Sequence, residues 1–369
     1  MFRNATFHTI DATPLKIEVL QDRLKLNAFV PCTSLQSKSL GFVEPMPGFG
    51  LAVATAGHIL IAMRTQRKVV PPSVVREEVS RRIAEFAREQ ARNPSRKERR
   101  TIHEDALDSL LPKAFSTSRV TRAWIDTKAN TLAIDATSAA ASEALVSRLI
   151  RSIEQDLRIR PLLTVDDAAA GMTNWVAGNA PAGFTVDQDA VFAASGRSKS
   201  TVKFTNIALD GTEAQRQIQG GNRVTSLAMT FDAKTSFVLD TNLALRRIKH
   251  QTLMPKKRAS PDVADPEALA DFTLMADSLS TIISQIVMDL GGIREPESLA
   301  GEEAPSPTDD PLYEQASNIV RANGRASISL VQRHLRIGYN RAAALLEALE
   351  KGGVVTPMDN TGNRKVKKV

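Results

Sequence analysis

Apolar positions along this chain change their period several times, and each change predicts an element. Up to Val70, short apolar runs alternate with turn residues. HILIAMRT (58–65) has the continuous apolar character of a buried strand, and VPPS (70–73) ends it. Val75, Val79, Ile83 and Phe86 then recur at helical spacing and predict a helix over 73–92 with one apolar face. Pro94 breaks that helix, Ser95 offers a cap to a second one, and Pro112 ends it. TRAWIDTKANTLAIDAT (121–137) predicts a β-hairpin, with Trp124 and Ile125 on one arm, Leu132 and Ile134 on the other, and a turn at Lys128–Asn130. A third helix is expected over Ser138–Ile153. The chain then reads as irregular, with Gly and Pro through Gly183. A short helix over Thr212–Gln219 stops at Gly220-Gly221, and a second β-rich part runs from Arg223 to His250. Asp265–Gly292 is a strongly amphipathic helix; its stripe of Phe272, Met275, Leu279, Ile282, Ile283, Ile286 and Leu290 fits a core or a subunit interface.

At Arg294 the character changes. Pro, Ser and Glu dominate REPESLAGEEAPSPTDDP, with no apolar period, which predicts a flexible acidic linker. Structure resumes in LYEQASNIVRAN, a helix with Ala316, Ile319 and Val320 facing inward. Ser327 or Ser329 caps a second helix carrying Ile328, Val331 and Leu335. Ile337-Gly338 makes a turn, and Asn340 caps a third helix with Ala343, Leu346 and Leu349 inward and Gly352-Gly353 at its end. VVTPMDNTGNRKVKKV reads as a hairpin with its tip near Asp359–Gly362. Three helices followed by a hairpin is winged-helix order. We therefore expect an α+β protein: a mixed α/β front region (1–293), a linker (294–309) and a winged helix-turn-helix domain (310–369).

Composition changes this picture only through charge. The 369 residues carry 48 Lys+Arg against 41 Asp+Glu, a net charge of +7, with a pI near 9.6. That favours a polyanionic partner, but the distribution of charge matters more than its sum. The one cysteine, Cys32, rules out an internal disulfide framework and fits a reducing compartment. The most apolar window, GLAVATAGHILIAM from Gly50, is too short for a membrane span, so a soluble cytoplasmic protein is expected.

No phosphate-binding loop, HExxH, CxxC, GxSxG or GxGxxG is present, and the five histidines form no metal-ligand spacing. No cofactor is expected. Asp126 and Asp135 sit on the two arms of the predicted hairpin; they are either a carboxylate pair for a nuclease metal or ordinary strand-end carboxylates. Cations are more informative. Arg64, Lys68, Arg76, Arg81, Arg82, Lys97, Arg99, Arg100, Lys113, Arg119 and Arg122 crowd one part of the chain, as phosphate contacts require. Glu77, Glu78, Glu85, Glu89 and Glu98 are interleaved with them, as they would be on solvated helix faces. In the tail, Arg333, Arg336, Arg341, Arg364 and Lys365 fall on the turn, the third helix and the wing. Tyr339, Asn340 and Arg341 open the third helix, where side chains reach base edges; Asn suits adenine and Arg suits guanine.

SISLVQRHLRIGYNRAA and GNRKV closely resemble the gamma domain of FtsK-type DNA translocases. The resemblance implies a winged helix that reads a short G-rich polar sequence, with Asn340, Arg341 and Glu347 on its recognition helix, and it raises contact with a site-specific recombinase. That family has an Arg directly after NRAA, where this chain has Ala344. The family's motor domain has no counterpart here.

FVPC, RKVVPPSVV, EDALDSLLPKAFS, WIDT and DFTLMADSLSTIISQIVMDLGG resemble, in order, the RdgC family of recombination-associated proteins. That resemblance implies a ring-shaped homodimer with a positively charged hole. It also implies binding to double-stranded DNA with little sequence preference, restraint of the RecA recombinase, and no enzymatic chemistry. It points to Arg64, Lys68, Arg76, Lys113 and Arg223 as DNA-facing. Thr117 and Ser118 stand where the family carries an exposed aromatic.

The expectation is thus a nucleoid-associated, non-enzymatic clamp on duplex DNA with a sequence-directed tail. The rivals are a sequence-specific transcription regulator with an N-terminal dimerisation domain and a metal-dependent nuclease.

Overall fold

The computed structural model describes residues 2–11, 16–153, 157–194, 200–209, 211–251, 265–294, 312–324, 326, 328–335, 339–356 and 366. The chain divides into two compact units, Met1–Arg294 and Glu295–Val369.

The first half of the larger unit contains β1 (Thr6–Asp11), α1 (Ile17–Lys25), β2 (Lys38–Val43), β3 (Ala52–Thr55), β4 (His58–Val69), α2 (Pro72–Gln90), α3 (Arg96–Leu110), β5 (Phe115–Asp126), β6 (Thr131–Ile134), α4 (Ala139–Ile153) and β7 (Arg158–Pro161). The strands form one antiparallel sheet in the order β2-β4-β5-β6-β1-β7, with β3 also pairing with β4. The second half contains α5 (Ala168–Asn174), β8 (Phe184–Ala194), β9 (Thr201–Phe204), α6 (Thr212–Gln219), β10 (Asn222–Phe231), β11 (Thr235–Asp240), β12 (Leu245–His250) and α7 (Pro266–Asp289). Its sheet runs β12-β11-β10-β8-β9.

Strand alternation sorts the first sheet into two faces. Ile59, Ile61 and Met63 of β4, with Ala123 and Ile125 of β5, pack under Leu20 and Leu24 of α1 and Leu145, Leu149 and Ile153 of α4. Leu60, Trp124, Phe7 and Ala133 face the other way. They share one core with the stripe of α7 and the inner face of the second sheet, Phe192, Val224, Leu227, Phe237 and Leu239 among others. The predicted stripe of α7 is buried throughout. Each such side chain contributes roughly 1.5–3 kcal/mol against its exposure in the unfolded chain.

The sequence-predicted elements around α2, α3, the β5–β6 hairpin, α4, α6 and α7 are all found. Ser95 caps α3 in a reciprocal capping box with Glu98. Two expectations need correction. The amino-terminal 70 residues include the helix α1, and the region read as irregular contains β7 and α5. The eleven-residue β8, paired between β10 and the edge strand β9 of the second sheet, follows it.

The smaller unit contains α8 (Tyr313–Asn323), α9 (Ile328–Leu335) and α10 (Tyr339–Lys351). They close around Ala316, Val320, Val331, Leu346 and Leu349, with Val355 paired to Val366. The helix start at Tyr339 puts Asn340 inside α10, not at its cap. The predicted hairpin tip (359–362), the cap at Ser327 and linker residues 295–309 lie outside the described residues; Ser329 falls inside α9, and Arg294 still belongs to the larger unit, its amide donating to the Leu163 carbonyl.

Candidate nucleic-acid interface

β4 and β5 are twelve residues each and outrun the sheet. Their inner halves are buried; their outer halves, Arg64–Val69 paired with Phe115–Val120, are exposed or half-buried and form a ribbon with β2. The segments Lys38–Val43, Arg64–Val69 and Phe115–Arg122 hold six cations and no carboxylate: Lys38, Arg64, Arg67, Lys68, Arg119 and Arg122.

Register decides which of these meet. Arg64 pairs with Val120 and Ala62 with Arg122, so Arg64 and Arg122 are diagonal neighbours on one face. Lys68 lies four residues along β4 on that face, about 13 Å away at the usual strand rise. Arg64 stacks its guanidinium 5.3 Å from the centre of the Phe29 ring. Lys68 Nζ donates to the carbonyls of Ser34 and Leu111 and has no carboxylate partner among the described residues. Lys113 follows in the short turn after α3 and is exposed.

The opposite face holds Arg119, whose Nη2 donates to Thr137 Oγ1 at 3.2 Å, together with Lys38 and Arg67. Lys38 and Arg67 are directly opposite one another across β2 and β4. Like charges so placed destabilise a sheet unless an anion neutralises them. These two were not among the residues singled out from the sequence, because their juxtaposition exists only through strand register.

The helical cations behave differently. Arg81 of α2 is clamped between Glu78 and Glu85, and Arg82 also reaches Glu78. The Arg81 and Arg82 guanidiniums pull the Glu78 carboxyl down to about 2, and Glu78 in return raises Arg81. Arg76 is exposed and donates to the Pro72 carbonyl, and Lys97 is exposed on α3. Arg223 opens β10 in the second sheet and pairs with Asp167 at 3.3 Å. The structure thus gathers Arg64, Lys68 and Arg122, and leaves Arg76, Arg81, Lys97 and Arg223 on other elements. The exposed aromatic of the ribbon is Phe115, 87% exposed, two residues before Thr117.

Asp126 and Asp135 do not form a pair. Asp126 is buried; it accepts the turn amides of Lys128 and Ala129 and the Ser280 hydroxyl at 2.6 Å. Asp135 accepts the amide of Asn4. Both hold backbone in place. Among the described residues no cluster of His, Cys, Asp and Glu is arranged to hold a metal, and no helix is long and apolar enough to cross a membrane.

In the smaller unit, Arg333 lies on α9, and Tyr339, Asn340 and Arg341 occupy the first turn of α10. Glu347 is exposed further along α10. Arg336, Arg364 and Lys365 lie outside the described residues.

Comparison with known proteins agrees with this division. A family model described as "Putative exonuclease, RdgC" matches residues 1–293. One described as "Ftsk gamma domain" matches residues 307–368. A recombination-associated protein RdgC from Cupriavidus pinatubonensis is 36% identical over 299 residues, 80% of this chain and 99% of the relative. Proteins of the same name from Herminiimonas arsenicoxydans and Bordetella pertussis are each 33% identical, covering 79% of this chain and 98% of theirs. The relatives are thus matched almost end to end, and the tail is additional to them.

Proposed function

The chain belongs to the RdgC family, and from that premise we propose that it is a non-enzymatic duplex-DNA-binding protein that modulates homologous recombination. It works as a ring-shaped homodimer that grips DNA without sequence preference and restrains the RecA recombinase in the nucleoid. The carboxylate-free basic ribbon of β2, β4 and β5 carries this reading. Phosphate contacts need cations and little else, because affinity comes largely from counterion release. Arg64, Lys68, Lys113 and Arg122 contact phosphates from one face of the ribbon, and Lys38, Arg67 and Arg119 from the other. No step requires a nucleotide or a metal.

The tail supplies an address. Its likeness to FtsK gamma domains supports a winged helix that enters the major groove with Asn340 and Arg341, with Arg333, Arg336, Tyr339, Glu347, Arg364 and Lys365 around them. Tethering it to the clamp raises the clamp's effective concentration near the preferred site. The same domain is also a candidate surface for a site-specific recombinase.

Titration of full-length protein against a labelled random duplex, over a series of salt concentrations, tests the reading. Steep salt dependence that weakens in an Arg64→Gln/Lys68→Gln variant supports the clamp. Salt-independent binding, or binding unaffected by that variant, contradicts it.

A further inference from the structure

At the shoulder where the basic ribbon leaves the first sheet, the second sheet arrives. The Arg122 carbonyl accepts the Asp135 amide at 2.9 Å, and Asp135 Oδ1 accepts the Asn4 amide at 3.0 Å. Asn4 lies beside β12: Ala5 pairs with Leu245, and the Ile248 amide donates to the Arg3 carbonyl at 2.9 Å. These contacts bring Arg3 and the middle of β12 next to Arg122.

β12 is irregular at this place. Ser236 of β11 pairs with Lys249 and Val238 with Arg246, so Arg247 and Ile248 together oppose Phe237. Arg247 is the extra residue of a bulge, and its φ is 51°, in the left-handed region. Glycine occupies such bulge positions readily, whereas a side chain makes them costly. Sparsely populated backbone held by a well-determined surround is a feature of functional sites. The exposed Arg247 has no partner among the described residues, and neither do the exposed Arg3 and Lys249. The neighbouring Arg246, by contrast, is consumed within the fold by Asp240 and the Ala136 carbonyl. The nearby carboxylates are engaged: Asp240 holds Arg246 and the amides of Asn242 and Ala244, and Asp135 holds Asn4. In sequence the basic run continues at Lys256, Lys257 and Arg258.

We propose that Arg247, with Arg3 and Lys249, forms a second phosphodiester-binding site that extends the basic ribbon past Arg122 onto the edge of the second sheet. The bulge sets the Arg247 guanidinium outside the β12 ladder, where it takes a backbone phosphate of the duplex that lies along the ribbon. The contact is independent of base sequence. The proposal rests on the duplex-binding reading above.

The test uses full-length protein, Arg247→Gly and Arg247→Asn, two residues that accept left-handed backbone. Thermal unfolding and titration of a labelled random duplex across a salt series are the readouts. The expected result is an unfolding temperature unchanged or raised, several-fold weaker binding, and a log–log salt slope shallower by about two, one phosphate contact being lost in each protomer of the dimer. Arg247→Lys should restore most of the slope. Wild-type affinity and slope in both folded variants would overturn this site and leave the clamp standing. No duplex binding by the wild-type protein would overturn the clamp reading itself, and this site with it.

Discussion

The indole N–H of Trp124 donates to His58 Nδ1 at 3.0 Å, which makes Nε2 the protonated nitrogen and sends it to Asp277 Oδ1 at 2.9 Å. With the Thr55–Thr273 and Ser280–Asp126 contacts, this ties β3–β5 to α7 by side-chain hydrogen bonds that run from the buried His58 and Asp126 to the half-buried and exposed margin of the helix. Trp124→Phe removes the donor and leaves a buried imidazole nitrogen unpaired, a cost of roughly 1–3 kcal/mol. Denaturant unfolding should show that loss with duplex binding retained. An unchanged midpoint would mean that the network contributes no stability.

Asp126 separates the structural from the nuclease account. Asp126→Ala strands the Ser280 hydroxyl and two turn amides, so a destabilisation of about 1–3 kcal/mol is expected. With Mg²⁺, wild-type protein should leave an end-labelled duplex intact. Mg²⁺-dependent cleavage abolished in Asp126→Asn would instead make the carboxylate catalytic.

Charge neutralisation should sort the arginines by their partners. Lys38→Gln with Arg67→Gln relieves a like-charge pair, so stability should hold or rise while the salt slope of duplex binding falls by about four, two contacts in each protomer of the dimer. Arg81→Gln removes a guanidinium already matched by Glu78 and Glu85, and should leave the slope unchanged. Equal effects of the two replacements would contradict the assignment of phosphate contacts to the ribbon.

Burial lowers the pKa of His8 and of His250 below the ordinary 6.5. Each therefore binds a proton more readily when unfolded. Their contribution to stability is present above 6.5 and is lost as pH falls through that value towards the lower folded pKa. Unfolding free energy should fall between about pH 7.5 and 5.5, and His8→Leu with His250→Gln should flatten the fall. An equally steep fall in the double variant would assign it to other groups.

The helices were legible wherever period and caps agreed. Ser95 announced α3, Gly220-Gly221 ended α6, and seven apolar positions drew the buried stripe of α7. The helix α1 escaped because nine residues bury only Leu20 and Leu24, and Lys16 at its start makes no side-chain cap. In β8, FTVDQDAVFAA, the buried Phe184, Ala190 and Phe192 are interrupted by polar and half-buried positions that blur the alternation. At the candidate site, the cationic excess was visible but its grouping was not. Adjacent residues such as Arg67 and Lys68 go to opposite faces, and only the register with β2 and β5 says which cations meet. The Arg247 bulge gave no sign either, since the usual marker is a glycine.

The smaller unit has its own core, so Leu346→Ala should destabilise it by about 2–5 kcal/mol. Calorimetry should show its transition moving while that of residues 1–294 stays. A shift of both transitions would mean that the two units unfold together.

The central claim is a sequence-neutral clamp with a separate address. It is tested most directly by titrating full-length protein and a 1–294 truncation against two duplexes, one random and one carrying the G-rich polar sequence read by FtsK gamma domains. The account predicts that 1–294 binds both equally with steep salt dependence, that the full chain prefers the G-rich duplex, and that Ala344→Arg sharpens the preference. A truncation that binds neither duplex, with all binding residing in the tail, would contradict it and make the protein a sequence-specific regulator.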